Sequence, residues 1–219
     1  MERIPFDPYD FFGYLASGLL VIIGMQLAVG FPNVFGQDLK PFEMLALLFG
    51  MYIAGQLIAT PAKAILEDGI VDKLLKRPSV NLFRSKRPWV RWILFPGFYK
   101  PLPKTVQDRV RDRVRSENGA TSGESLFLHV RYHPEIRSNE RVMARLQTFL
   151  NMYGFARNLA FTSLAAGTAI IVRSTTADDG RLASYGWTAV IVGLLLFYRY
   201  LKFFRQYSYE LFNTYSGLR

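Results

Sequence analysis

"FFGYLASGLLVIIGMQLAVGF", residues Phe11 to Phe31, decides the class of this chain. No charged residue stands between Asp10 and Asp38. A run of roughly 20 apolar residues, wound as an α-helix, crosses the hydrocarbon of a bilayer. Pro32 and Asn33 end it. Three further runs follow the same logic. The second spans Phe42 to Pro61, with Met44 to Ala62 free of charge. The third, Asn158 to Val172, lies between Arg157 and Arg173 and is extended upstream by the apolar stretch from Phe149. The fourth, Leu182 to Tyr198, lies between Arg181 and Arg199 and runs into "FYRYLKFF", the aromatic and cationic mix of a membrane interface. The sequence therefore predicts a mainly all-α integral membrane protein with four transmembrane helices. Residues 1–62 form an N-terminal transmembrane hairpin, 63–157 a basic, largely helical cytoplasmic domain, and 158–219 a C-terminal transmembrane hairpin and tail.

Charge gives the expected direction. The chain is 50% hydrophobic yet carries a net charge of +10. Lys63 to Arg157 holds 19 Lys and Arg against nine Asp and Glu, which is the whole excess. By the positive-inside rule this segment and both termini are expected in the cytoplasm, with the two short hairpin loops outside. There is no cysteine, so disulfides and thiolate chemistry are excluded. "MERIPFDPYD" has no positive n-region and is not expected to be a cleaved signal peptide.

Within the basic segment, "AKAILEDGIVDKLLKRP" sets Leu66, Ile70 and Leu74 four apart beside Ile65, Val71 and Leu75, an amphipathic helix continuing the second span through a proline kink. Asp68, Gly69 and Asp72 resemble the start of the CDP-alcohol transfer motif, but the later acidic pair is missing. Phe83 to Pro101, "FRSKRPWVRWILFPGFYKP", contains cations, aromatic rings and prolines and no acid. Arg84, Lys86, Arg87 and Arg91 suit phosphates, and Trp89, Trp92 and Tyr99 suit stacking on bases. The same residues would equally suit the headgroup zone of an anionic leaflet. In "KTVQDRVRDRVRSE", Val106, Val110 and Val114 form an apolar stripe, leaving Arg109 and Arg113 on a cationic face that suits either plain solvation or contact with phosphate. Asp108 and Asp112 are spaced to pair with Arg111 and Arg115. His129 and His133 lie four apart but are followed by Pro134, with no carboxylate at metal-ligand spacing, so no metal is expected. From Asn139 a helix begins whose Val142, Leu146, Phe149, Tyr153 and Ala156 form a heptad seam leading into the third span.

The charge-free stretches of the spans contain no Asp, Glu, Lys, Arg or His, which argues against an active transporter. Phosphate loops, nucleophile elbows and acid/base pairs are missing too, so no enzyme and no cofactor are expected. Small residues at packing spacing (Gly13 and Ser17, Gly50 and Ala54, Gly55 and Ala59, Ser163 and Gly167) allow close helix contact. Ser17, Gln26, Gln56, Thr162, Ser163, Gly167 and Thr168 are the candidate pore-lining or packing positions.

"PYDFFGYLASGLL" and "YGFARNLA" (Tyr153 to Ala160) are similar to small four-span effectors of bacterial anti-phage defence, the Hailong-type channel effector. The two pieces cover roughly a tenth of the chain. The resemblance implies a homo-oligomer such as a tetramer in the bacterial inner membrane. It also implies an ion channel or pore gated by an anionic nucleotide or short single-stranded DNA, made by a nucleotidyltransferase partner. The alternative is a non-conducting scaffold whose basic loop binds anionic lipid and recruits a partner.

Overall fold

A computed structural model describes residues 8–31, 33–35, 37–84 and 93–218. The protein is all-helical, 82% helix with no strand among the described residues, so every contact that positions a site is helix on helix or helix on loop. The chain runs α1 (Pro8–Val29), α2 (Pro41–Ala62), a π-wound helix (Lys63–Leu75) and α3 (Pro78–Asn81). It continues with α4 (Lys104–Ser116), α5 (Gly123–Arg131), α6 (Pro134–Ser138), α7 (Glu140–Ala177) and α8 (Gly180–Gly217). Four helical stretches are long and apolar enough to cross a membrane, consistent with a multi-pass membrane protein. At 38 residues each, α7 and α8 are about 57 Å long, nearly twice the roughly 30 Å hydrocarbon thickness. About half of each must therefore lie beyond a bilayer core.

Two compact units divide the chain. The first joins residues up to Asp68 with Gly154–Tyr200. Glycine makes its helix contacts possible. A Cβ added at Gly18 would overlap the Met51 carbonyl, and one at Gly55 would overlap the Tyr14 carbonyl, so α1 and α2 meet backbone to backbone. On α7 and α8, a Cβ at Gly167 would sit 2.8 Å from the Gly186 oxygen. A Cβ at Gly24 would sit 2.7 Å from that of Ala166. Ser17 is buried on this packed face, its hydroxyl donating to the Gly13 carbonyl at 3.0 Å. The Gly50 and Ala54 pair does not pack as its spacing suggests: nothing lies within 4 Å of a Cβ at Gly50. The Arg173 guanidinium reaches the C-terminal end of α1, where it donates to the Ala28 carbonyl at 3.3 Å. Gly30, at φ +78°, turns the chain there.

Pro61 sits inside α2 and lacks the amide that would bond four residues back. Two residues later the winding opens into the π register, in which amides reach one residue further back than in an α-helix. This changes which side chains go inside. Ala62, Leu66, Val71 and Leu75 are buried, a four-five-four spacing, while Ile65 and Leu74 are exposed. The expected stripe of Leu66, Ile70 and Leu74 assumed α-helical pitch, and it is corrected by the wider turn.

The second unit joins Gly69–Tyr153 with Leu201–Arg219. Its core contains Val110 and Val114 of α4, Leu126 and Val130 of α5, Ile136 of α6 and Leu146 of α7. Tyr207, Leu211, Phe212 and Tyr215 of α8 complete it. The residues after the fourth apolar run are thus a helical part of this core, rather than a tail. Tyr200, Leu201 and Phe204 of the expected aromatic belt are buried in protein. The valine stripe of α4 and the seam residue Leu146 of α7 face inward as their spacing requires.

Candidate functional site

The sequence-predicted cationic residues meet three different fates. Lys86, Arg87, Trp89, Arg91 and Trp92 lie outside the described residues. Arg84 and Arg109 are exposed, and neither has a carboxylate partner among the described residues. Asp108 and Asp112 likewise make no ion pair there with Arg111 or Arg115. Arg111 instead turns onto Phe83, its guanidinium 5.4 Å from the ring centre.

Arg113 and Tyr99 are structural, which corrects their assignment to ligand binding. Arg113 donates Nη1 to the Leu218 carbonyl at 2.7 Å. Its other donors meet Glu117 at 3.2 Å and Glu135 at 3.3 Å, and its guanidinium covers the Tyr215 ring at 5.2 Å. A cation held by two carboxylates and a carbonyl has little left to offer a phosphate. Tyr99 is 3% exposed, and its hydroxyl donates to the Leu75 carbonyl at 3.0 Å. Together with the Asn81 amide, 3.2 Å from the same carbonyl, it satisfies an end of the π-wound helix that would otherwise be orphaned. Its ring faces the core and cannot stack on a base.

Arg113 belongs to a cluster built around Glu117, at the C-terminal end of α4. His129 Nε2 lies 2.8 Å from Glu117 Oε2, and His133 Nε2 lies 3.4 Å from Oε1. The Tyr215 hydroxyl donates to Oε2 at 2.9 Å. Gly119 permits the approach: a Cβ there would stand 2.7 Å from His129 Nδ1. Burial pushes the Glu117 carboxyl up, but hydrogen bonds from His129, Tyr215 and Arg113 and the nearby His133 outweigh it and hold it at about 2. Spacing showed the histidines four apart but not the carboxylate twelve residues before His129. That acid reaches them only through the Asn118–Gly119 turn, where Asn118 takes a φ of 56°. Arg113 and Tyr215 each occupy one of its oxygens, and no group of three His, Asp or Glu side chains among the described residues is arranged to hold a metal.

In the first unit, Thr162 and Ser163 are buried, and the Thr162 hydroxyl donates to the Asn158 carbonyl at 2.9 Å. Gly167 is buried against Gly186. These positions and Ser17 fill the packing of one chain. Gln56 and Thr168 are exposed, and Gln26 is half-buried. Gln56 donates to the Tyr52 hydroxyl at 2.9 Å.

An ion pair that sequence reading missed lies beside them. Arg157 Nη1 contacts Glu67 Oε2 at 2.6 Å, with side chains only 13% and 11% exposed. Asn158 Oδ1 accepts from the same guanidinium at 3.3 Å. The signal was present in "YGFARNLA", where a lone arginine precedes an apolar span, but its acid lies 90 residues earlier. Comparison with known protein families, curated proteins and solved structures yields no match to this chain.

Proposed function

We propose that this protein is an oligomeric membrane effector, a channel whose conducting path forms between copies and whose cationic second unit binds an anionic nucleotide or short single-stranded DNA. The observation that carries the reading is the set of exposed, carboxylate-free guanidiniums on that unit, Arg84 and Arg109 among them. Such charges are costly to gather and attract phosphates, with a strong dependence on salt. The outward-facing Gln56 and Thr168 support a path between chains, since Ser17, Thr162 and Ser163 are buried in packing within one chain. Ligand binding need favour one packing of the helices by only a few kcal/mol to gate conduction. In this reading the protein is not an enzyme, it sits in a bacterial inner membrane with both termini cytoplasmic, and a nucleotidyltransferase supplies its ligand in anti-phage defence.

The test is binding of a labelled oligodeoxynucleotide to detergent-purified protein at two salt concentrations. The reading requires affinity that falls steeply with salt and with Arg109→Glu; salt-independent binding unaffected by Arg109→Glu would refute it. A second reading, a lipid-bound scaffold, is favoured by Ile93 and Leu94, exposed at 62% and 65%. It requires binding to anionic vesicles and no conductance.

A further inference from the structure

Arg131, Tyr132 and Arg137 stand at a concavity of about 180 Å³ in the second unit. Met143, Leu146 and Tyr207 line it from α7 and α8. The local sequence "RYHPEIR" explains the arrangement. On one continuous helix Tyr132 and Arg137 would be five residues apart, about 140° around the axis, and would point away from each other. Pro134 instead starts a new helix at α6, and the chain bends between them. Both guanidiniums then lie over the same ring, Arg131 at 5.8 Å and Arg137 at 5.9 Å from its centre.

Two cations thus share the ring of one exposed tyrosine. Several other arginines that reach a second element meet an acid there, although Arg111 and Arg173 rest on a ring and a carbonyl instead. Arg77 meets Asp72 and Glu124, Arg145 meets Glu210 and Arg157 meets Glu67. Among the described residues no carboxylate lies within ion-pair distance of Arg131 or Arg137. The ring supplies a modest attraction to each cation, and an anion in the concavity would be drawn to both. Guanidinium forks fit phosphate oxygens, and the apolar wall beside them fits a flat, weakly polar ring.

We infer that this concavity is the ligand-reading site of the second unit, taking a phosphate ester that carries a planar ring, as in one nucleotide of a longer strand. This rests on the nucleotide-binding reading above and locates it. The cavity is smaller than the roughly 300–1,000 Å³ typical of sites that enclose a drug-sized ligand. It therefore holds one unit of an oligomer, with the neighbouring phosphates left to the exposed cations such as Arg109.

The experiment measures the affinity of a short, end-labelled oligodeoxynucleotide for the full-length protein in detergent. It compares wild type, Arg131→Gln, Arg137→Gln and Arg109→Gln, each checked for an unchanged melting temperature. Each pocket substitution is expected to weaken binding about tenfold or more, as loss of a charge-assisted hydrogen bond does, and Arg109→Gln by clearly less. Tyr132→Leu, which keeps both charges but removes the ring that gathers them, is expected to weaken binding as well. Wild-type binding that survives both pocket substitutions but is lost on Arg109→Gln would overturn the site and leave the nucleotide reading standing. No binding by wild type would overturn both. Loss of phosphatidylglycerol-vesicle binding in the pocket variants, with oligodeoxynucleotide binding intact, would replace the nucleotide by a lipid headgroup and also overturn the inference.

Discussion

Replacing Gly18 by alanine adds one methyl group where α1 meets the backbone of α2. That methyl would overlap the Met51 carbonyl oxygen, with the Met51 carbonyl carbon only 2.5 Å away. Backbone cannot rotate aside as a side chain can, so the two helices must separate and the contacts along their seam are lost. Overpacking of this kind costs about 1–3 kcal/mol. Alanine's better helix propensity offsets about 1 kcal/mol of that, and the net effect is a loss of up to about 2 kcal/mol. Gly50→Ala is the control on the same pair of helices: its new methyl meets nothing within 4 Å. It should keep the whole propensity gain of about 1 kcal/mol. The two substitutions are chemically identical and should have opposite signs. Thermal unfolding in detergent, followed by circular dichroism, reads both. Equal melting temperatures for Gly18→Ala and Gly50→Ala would refute the close approach of α1 and α2.

Other consequences follow from the polar contacts. The Glu117 carboxyl is held at about 2, below its ordinary 4.5, so it stabilises the folded state above pH 4.5 and loses that contribution as pH falls toward 2. With the side chain 28% exposed, solvent reduces the effect to about 1–2 kcal/mol. Glu117→Gln should therefore cost that much at pH 7, and the gap from wild type should close in acid; a gap independent of pH between 7 and 3 would contradict this. Glu67→Gln should cost about 3–5 kcal/mol by leaving Arg157 buried without its acid, and Glu67→Leu combined with Arg157→Met should recover most of it. Unfolding midpoints that fall further in the double variant would count against a buried pair. Arg173→Ala should cost about 1 kcal/mol by uncovering the C-terminal carbonyls of α1, whereas Arg181→Ala, on an exposed side chain, should be close to neutral.

The helices were legible because bilayer thickness and helical pitch leave few options for runs such as Phe11 to Phe31. The valine stripe of α4 and the seam residue Leu146 were legible for the same reason, since period alone assigns a face. What failed were inferences that needed a partner from far along the chain. Arg113 was read as a free cation because its carbonyl acceptor, at Leu218, lies 105 residues away. Tyr99 was read as a stacking ring because a cationic neighbourhood says nothing about the Leu75 carbonyl it caps. "FYRYLKFF" and the residues after it were read as interface and tail, since aromatic residues suit both a membrane boundary and a protein core. The π-wound stretch was missed because apolar spacing was counted at α-helical pitch, and the proline that precedes it gives no measure of the turn that follows. The cluster of Glu117, His129 and Tyr215 joins three elements, and no local pattern encodes it.

Whether the second unit carries an anionic nucleotide ligand decides between a gated channel and a lipid-bound scaffold. Detergent-purified protein, analysed by mass spectrometry together with its absorbance at 260 nm, tests this directly. A co-purifying nucleotide or short oligonucleotide, lost when Arg131 and Arg137 are both replaced by glutamine, is the predicted result. Phospholipid alone, with an absorbance ratio normal for protein, would contradict it.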